Sequence, residues 1–104
     1  MSQLPQLPKV NDYYYHYKHN PKEGIFDYAY KIIGIATHSE SLELMVVYQP
    51  LYVTSNHNQM EVNFWVRPLT MFTENVNIKE YNYQGLRFKL ITDSDLIQRL
   101  QNQL

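Results

Sequence analysis

Four histidines, one arginine beside a lone tryptophan, and a serine set between a histidine and a glutamate are the residues of this chain best equipped for chemistry. His38, Ser39 and Glu40 are consecutive, with Glu43 three residues on; His38 beside Glu40 is a candidate acid–base pair, and Ser39 carries a hydroxyl that such a pair could activate. Trp65 and Arg67 sit two apart in the run FWVRP, which suits a flat apolar platform next to a guanidinium fork for an anion. Each also has a plainer structural account: a histidine in a polar bend is usually a hydrogen-bonding surface group, and a Glu–Arg pair usually braces a turn. The histidines at 16, 19, 38 and 57 have no zinc spacing, there is no cysteine, and neither a phosphate loop nor a nucleophile-elbow glycine pattern occurs. No cofactor or metal is therefore expected.

These side chains need elements to hold them. The organising stretch is 30–52, YKIIGIATHSESLELMVVYQPLY, in which two apolar runs flank the tip at 38–43. β-Branched residues argue for strands over 30–37 and 44–48 joined as a hairpin, with Tyr30, Ile32, Gly34 and Ala36 on one face and Lys31, Ile33 and Ile35 on the other. The run 44–48 is apolar throughout, which predicts a strand covered on both sides. Pro50 cannot donate to a ladder, so regular pairing should end near it or continue along an edge. Residues 60–67 alternate, Met60, Val62, Phe64 and Val66 against Glu61, Asn63, Trp65 and Arg67, and Pro68 closes that strand.

Elsewhere, 13–18 reads YYYHYK, aromatic enough for a strand that stops at His19-Asn20-Pro21. A connector over 20–27 has Gly24 as its expected positive-φ residue. The segment 69–72 suits a short helical turn plugging the fold with Leu69 and Phe72, and short strands over 76–81 and 87–91 are separated by a turn at Gly85. From Thr92 the period changes; Thr92 with Asp95 resembles a helix-start box, and Leu96, Ile97, Leu100 and Leu104 then share one helical face. The expected organisation is an extended or mobile tail over 1–12, one β domain over 13–91 and an amphipathic helix over 92–104.

Composition narrows the function classes. A chain of 104 residues with 44% hydrophobic and 18% charged residues fits a single globular domain. The first twelve residues lack a secretory pattern and no apolar run approaches a membrane span, so a cytoplasmic setting is expected. A net charge of −1 supplies no global cationic field, which leaves nucleic acid only a local site. Ten tyrosines are the oddity. Strand propensity and half-buried sheet faces account for them, and a stacking surface for planar ligands is the sharper alternative.

If the strands beginning near Tyr30, Leu44 and Met60 form an up-down-up meander, the end of the first, the start of the second and the end of the third meet at one end of the sheet. His38, Glu40, Glu43 and Arg67 then converge, with Glu43 and Arg67 opposed as a charge-assisted pair.

Four blocks carry a resemblance: Tyr15-His16-Tyr17-Lys18, then Gly34-Ile35-Ala36-Thr37-His38-Ser39-Glu40-Ser41-Leu42-Glu43, then Val46-Val47-Tyr48-Gln49-Pro50-Leu51-Tyr52, then Trp65-Val66-Arg67-Pro68-Leu69-Thr70-Met71-Phe72. Together, in this order, they resemble the domain of unknown function 1653 family of small bacterial proteins. The resemblance covers about 13–76 and implies a mainly β fold, a small SH3-like or related antiparallel β-barrel with a short C-terminal helix. It implies no activity. The chain departs from the family in a longer connector after Lys18, in HSESLE where the family has HSETLE, in a longer loop before FWVRP, and in the helical tail.

Three classes of function remain open on these residues. One is a binding module in which His38, Ser39, Glu40, Glu43, Tyr48, Trp65 and Arg67 form a polar and aromatic rim for a small anionic or planar, nucleotide-like ligand. A second is a protein-interaction or assembly domain working through an edge strand or the C-terminal helix, which could make it an oligomer. The third, a small hydrolase-type enzyme using His38, has the weakest signal.

Overall fold

The computed structural model describes residues 7–51 and 64–102. The loop at 53–59, the strand start at Met60, Glu61, Val62 and Asn63, the first half of the tail and Leu104 lie outside the described residues. Seven strands and two short helices follow in the order β1 (Tyr13–His16), β2 (Ala29–Thr37), β3 (Leu44–Pro50), β4 (Trp65–Pro68), α1 (Leu69–Phe72), β5 (Asn75–Ile78), β6 (Tyr83–Leu86), β7 (Phe88–Leu90) and α2 (Ser94–Gln101). The fold is mainly β with antiparallel pairing throughout.

Five strands form one sheet in the order β4-β3-β2-β1-β7, and β5 pairs with β6 in a separate ribbon. Among the described residues the strands do not close into a barrel. The sheet nevertheless curls, because the Arg67 guanidinium on the edge strand β4 sits 5.3 Å from the ring centre of Phe88 on the opposite edge, β7. Between β6 and β7 only Arg87 intervenes, and it serves both sheets: its N–H donates to the Glu74 carbonyl while its own carbonyl accepts from the Tyr17 N–H. Its guanidinium also holds the Glu74 carboxylate at 2.5 Å, the ion pair found among the described residues.

Each face of the sheet has its own core. Tyr14, Tyr30, Ile32, Val46 and Tyr48 point inward onto Phe72 of α1 and Phe88, whose rings stack at 4.1 Å. Tyr13, Ala29 and Ile91 point the other way, onto Leu100 of α2, with Leu96 and Ile97 alongside. The apolar stripe of α2 is thus used against its own sheet, which an eight-residue helix requires because it is too short to be stable alone. The helix cap is Asp93 rather than Thr92. Its Oδ1 accepts from the N–H groups of Asp95 and Leu96, aspartate being the stronger cap of the two.

Several local expectations change. In β2 the register shifts between Ile32 and Gly34, so Ile33 is an extra residue. A bulge of one residue reverses the faces beyond it, and Ile35 pairs with buried Val46 instead of sharing a face with Lys31. The strand β3 is fully buried on one face only: Val46 and Tyr48 are covered, whereas Met45, Val47 and Gln49 on the other face are half-buried and Leu44, at the tip end, is exposed. Gly85 lies inside β6, opposite Val76, and the reversal falls at Asn82, a left-handed residue after a 3₁₀ turn. The Tyr83 ring folds over Gly85, where an added Cβ would lie 3.0 Å from its Oη. That glycine therefore makes room for an aromatic neighbour instead of making a turn. Gly24 has positive φ, as expected, and residues 9–12 form a turn bonded to β2 through Asn11 and Asp12.

Candidate functional site

Register decides which side chains can meet. Directly opposed residues of an antiparallel pair share a face. Trp65 opposes Tyr48 and Arg67 opposes Val46, so both Trp65 and Arg67 turn toward the inner core. Phe64 and Val66, from the apolar half of that alternation, are the more exposed, at 49% and 59% against 37% for Trp65, while Arg67 is half-buried. A face that reads as polar is the one turned inward.

Arg67 is half-buried there. Its Nε–H donates to the Tyr48 hydroxyl at 3.3 Å, and its Cζ lies 5.3 Å from the Phe88 ring centre. Tyr48 is two residues farther from the hairpin tip than Val46, so the guanidinium leans away from the tip. The expected Glu43–Arg67 brace is absent: β4 ends at Pro68 opposite Met45, Glu43 lies beyond that end before β3 begins, and Arg67 turns to Tyr48 instead. No carboxylate among the described residues lies within ion-pair distance of Arg67.

Around this cation is an aromatic wall. Tyr48 meets Trp65, Tyr30, Phe72 and Phe88 edge-on at 5.2–6.1 Å. His16, opposite Phe88 at the end of β1, completes it, with its ring 5.1 Å from Phe88 and 5.6 Å from Tyr28. Its Nδ1 accepts the Lys18 N–H at 3.1 Å, which fixes the neutral tautomer with the proton on Nε2. Burial pushes its pKa down to about 4, and the positive charges of Arg67, Lys18 and Arg87 push the same way. A protein of net charge −1 therefore has a local basic field at this end of β1.

The hairpin tip is built differently. The His38 N–H donates to the Glu43 carbonyl and the Leu42 N–H to the His38 carbonyl, with Leu42 in the left-handed region. The His38 ring closes this turn on itself: Nδ1 accepts from the backbone N–H groups of Glu40 and Ser41 at 3.1 and 3.2 Å. The Ser41 hydroxyl accepts the Glu43 N–H, and residues 38–43 are all exposed. Of the seven residues picked out by sequence, then, the fold gathers Tyr48, Trp65 and Arg67 on the inner face and leaves His38, Ser39, Glu40 and Glu43 in the tip.

Sequence reasoning alone misses His16 and Phe88 as members of this aromatic wall. A signal exists, since YYYHYK is the densest aromatic and basic stretch in the chain, but it does not indicate the face on which the histidine falls.

A cleft adjoins this aromatic cluster. It measures about 390 Å³ and runs along the outer side of β7 and the start of α2, lined by Tyr15, Tyr17, His19, Tyr83 and Lys89 among others, and His16 belongs to its lining as well. Tyr15 stacks on His19 at 3.6 Å, and the His19 Nδ1 faces the Asp27 carbonyl at 2.6 Å. Among the described residues there is no cluster of three metal-ligating side chains, and no helix is long and apolar enough to cross a membrane.

Comparison with known proteins agrees with the blocks that form this wall. The family model described as "Protein of unknown function (DUF1653)" matches residues 12–90, from the turn before β1 to the end of β7. No curated protein and no solved structure matches the chain. The matched span takes in His16, the tip, Tyr48 and Arg67 and stops short of α2; the chain belongs to the DUF1653 family.

Proposed function

We propose that the protein is a small binding module, built on a half-open, SH3-like curl of sheet, that takes a small anionic ligand with a planar body at the inner-face recess of Arg67, Tyr48, Trp65 and His16. The observation that carries this reading is the Arg67 guanidinium: half-buried, resting over Phe88, tied by Nε to Tyr48 and facing no carboxylate among the described residues. A partly desolvated guanidinium without a counter-ion favours an incoming anion, and its fork suits a carboxylate or phosphate. Trp65, 37% exposed, offers a ring for a flat group, while Tyr48 and Phe88 are closed core rings that hold the guanidinium in place. His16 adds an Nε2–H donor that stays neutral at physiological pH. A cytoplasmic setting, as the composition suggests, belongs to the same reading.

Trp65 is the only tryptophan and lies in the recess wall, 6.1 Å from Tyr48, so its fluorescence reports on occupancy. Titration with uridine monophosphate and with inorganic phosphate should change Trp65 emission saturably, and Arg67→Ala should abolish the change with little loss of melting temperature. An affinity untouched by that substitution removes the reading.

A further inference from the structure

Three cation–aromatic contacts occur among the described residues, and all three cluster around one end of β1. Lys18 Nζ lies 5.8 Å from the Tyr81 ring centre, Lys89 Nζ 5.4 Å from Tyr83, and Arg67 Cζ 5.3 Å from Phe88. Tyr17 joins them: it stacks on Tyr83 at 5.4 Å, meets Tyr81 edge-on at 5.6 Å and contacts the His16 ring at 4.2 Å. His16 is the shared member, lining the cleft while its ring packs on the core residue Phe88, against which Arg67 rests. The cleft and the half-buried Arg67 are therefore linked through His16 and Phe88 around the end of β1, with a cation beside a ring at each stage.

Alternating cations and ring faces at this spacing form the pattern that binds an unpaired polynucleotide, where bases stack on rings and phosphates pass the cations. A duplex keeps its bases stacked inside and would meet only the cations, and a net charge of −1 gives it little to hold. Three of the acidic groups nearby are engaged, Glu74 with Arg87, Asp93 as the cap of α2 and Asp27 with the Asn20 N–H, while Glu80 beside Tyr81 is exposed. They cancel part of the field without closing the path between Lys89 and Arg67.

We propose that the ligand of this module is a segment of single-stranded nucleic acid, laid across the end of β1 with a base on the exposed Tyr81 ring, its neighbour against the edge of the stacked Tyr17–Tyr83 pair, and backbone phosphates on Lys89, Lys18 and Arg67. This rests on the recess reading above and extends it from one anionic planar group to a strand.

The test is fluorescence anisotropy with labelled oligouridylate and oligodeoxythymidylate of about 10 nucleotides, a length within the usual range for single-strand sites. Both strands should bind at low salt, and an RNA preference or a DNA preference then identifies the source. The slope of log affinity against log salt should be negative, and Lys18→Ala with Lys89→Ala should flatten it by about 1.4, the value for two phosphate contacts on a single strand. The double substitution should weaken strand binding about tenfold or more while the Trp65 response to uridine monophosphate persists. Strand binding no tighter than the mononucleotide, or unchanged by the double substitution, overturns the inference and leaves the recess reading standing. Absence of both signals in the unsubstituted protein overturns the two together.

Discussion

Two histidines sit in two family blocks of this chain, and the fold treats them in opposite ways. His38 is exposed in the hairpin tip, where its ring accepts from two backbone N–H groups of its own turn. His16 is packed between Tyr17, Tyr28 and Phe88, and lies in the field of three neighbouring cations. Both use Nδ1 to hold a local backbone group. The difference lies in the other nitrogen and its surroundings, for only His16 has an aromatic wall and a basic field around it. A histidine flanked by serine and glutamate is the more conspicuous in sequence, yet recognition chemistry depends on what crosses from neighbouring strands.

That contrast can be broken at three levels. The largest effect belongs to the floor beneath His16. Phe72→Ala removes a ring that is 1% exposed and stacked on Phe88, and should cost about 3–5 kcal/mol, as buried phenylalanine truncations do. Urea denaturation measures it; a loss under about 1 kcal/mol would show that the wall is loosely packed and cannot preorganise a ligand.

The next effect is a pH dependence. Folded His16 titrates near 4, below the usual value of 6.5, so as pH falls the unfolded chain takes up this proton first. Its contribution to stability is complete above about pH 6.5, declines as pH drops toward 4, and levels off below. At about 1.36 kcal/mol per pKa unit, discounted for partial exposure, the loss is about 1–3 kcal/mol. Comparing unfolding midpoints at several pH values, His16→Gln should remove that part of the acid limb. An identical pH profile in the variant would remove the distinction between the two histidines.

The smallest effect is at the tip. His38→Ala leaves two exposed N–H groups without their acceptor, a loss similar to that of a helix cap, about 0.5–1 kcal/mol. The Trp65 response to ligand should remain intact. A stability loss beyond about 2 kcal/mol, or a lost response, would make the tip more than a self-closed turn.

Strand order is legible in the sequence because apolar runs, polar bends and Pro68 mark where strands start and stop. The hairpin of β2 and β3, the neighbouring place of β4, the helical turn over Leu69–Phe72 and the amphipathic α2 are all readable that way. The facing of side chains is not. The choice between the Phe64–Val66 side and the Trp65–Arg67 side depends on pairing with Val46 and Tyr48, and long-range register leaves no trace in local alternation. Nor does anything local mark Ile33 as an extra residue, since isoleucine suits a regular strand equally well. Glycine usually punctuates, which predicts a turn at Gly85, but the Tyr83 ring lying across it puts it in a strand. Half of the site is nameable for the same reason: Tyr48, Trp65 and Arg67 stand out by type, whereas the part played by His16 and Phe88 emerges only once β1 is paired with β7.

The supernumerary isoleucine of β2 has one more effect. Past it the ribbon is inverted, so the outer half of the arm obeys a different in-and-out code from the half rooted in the core. Lengthening or shortening the arm by a single position would therefore act as a rotation, presenting to solvent what now faces the fold. Natural variation in the arm's length should come in steps of two wherever the inner wall is kept.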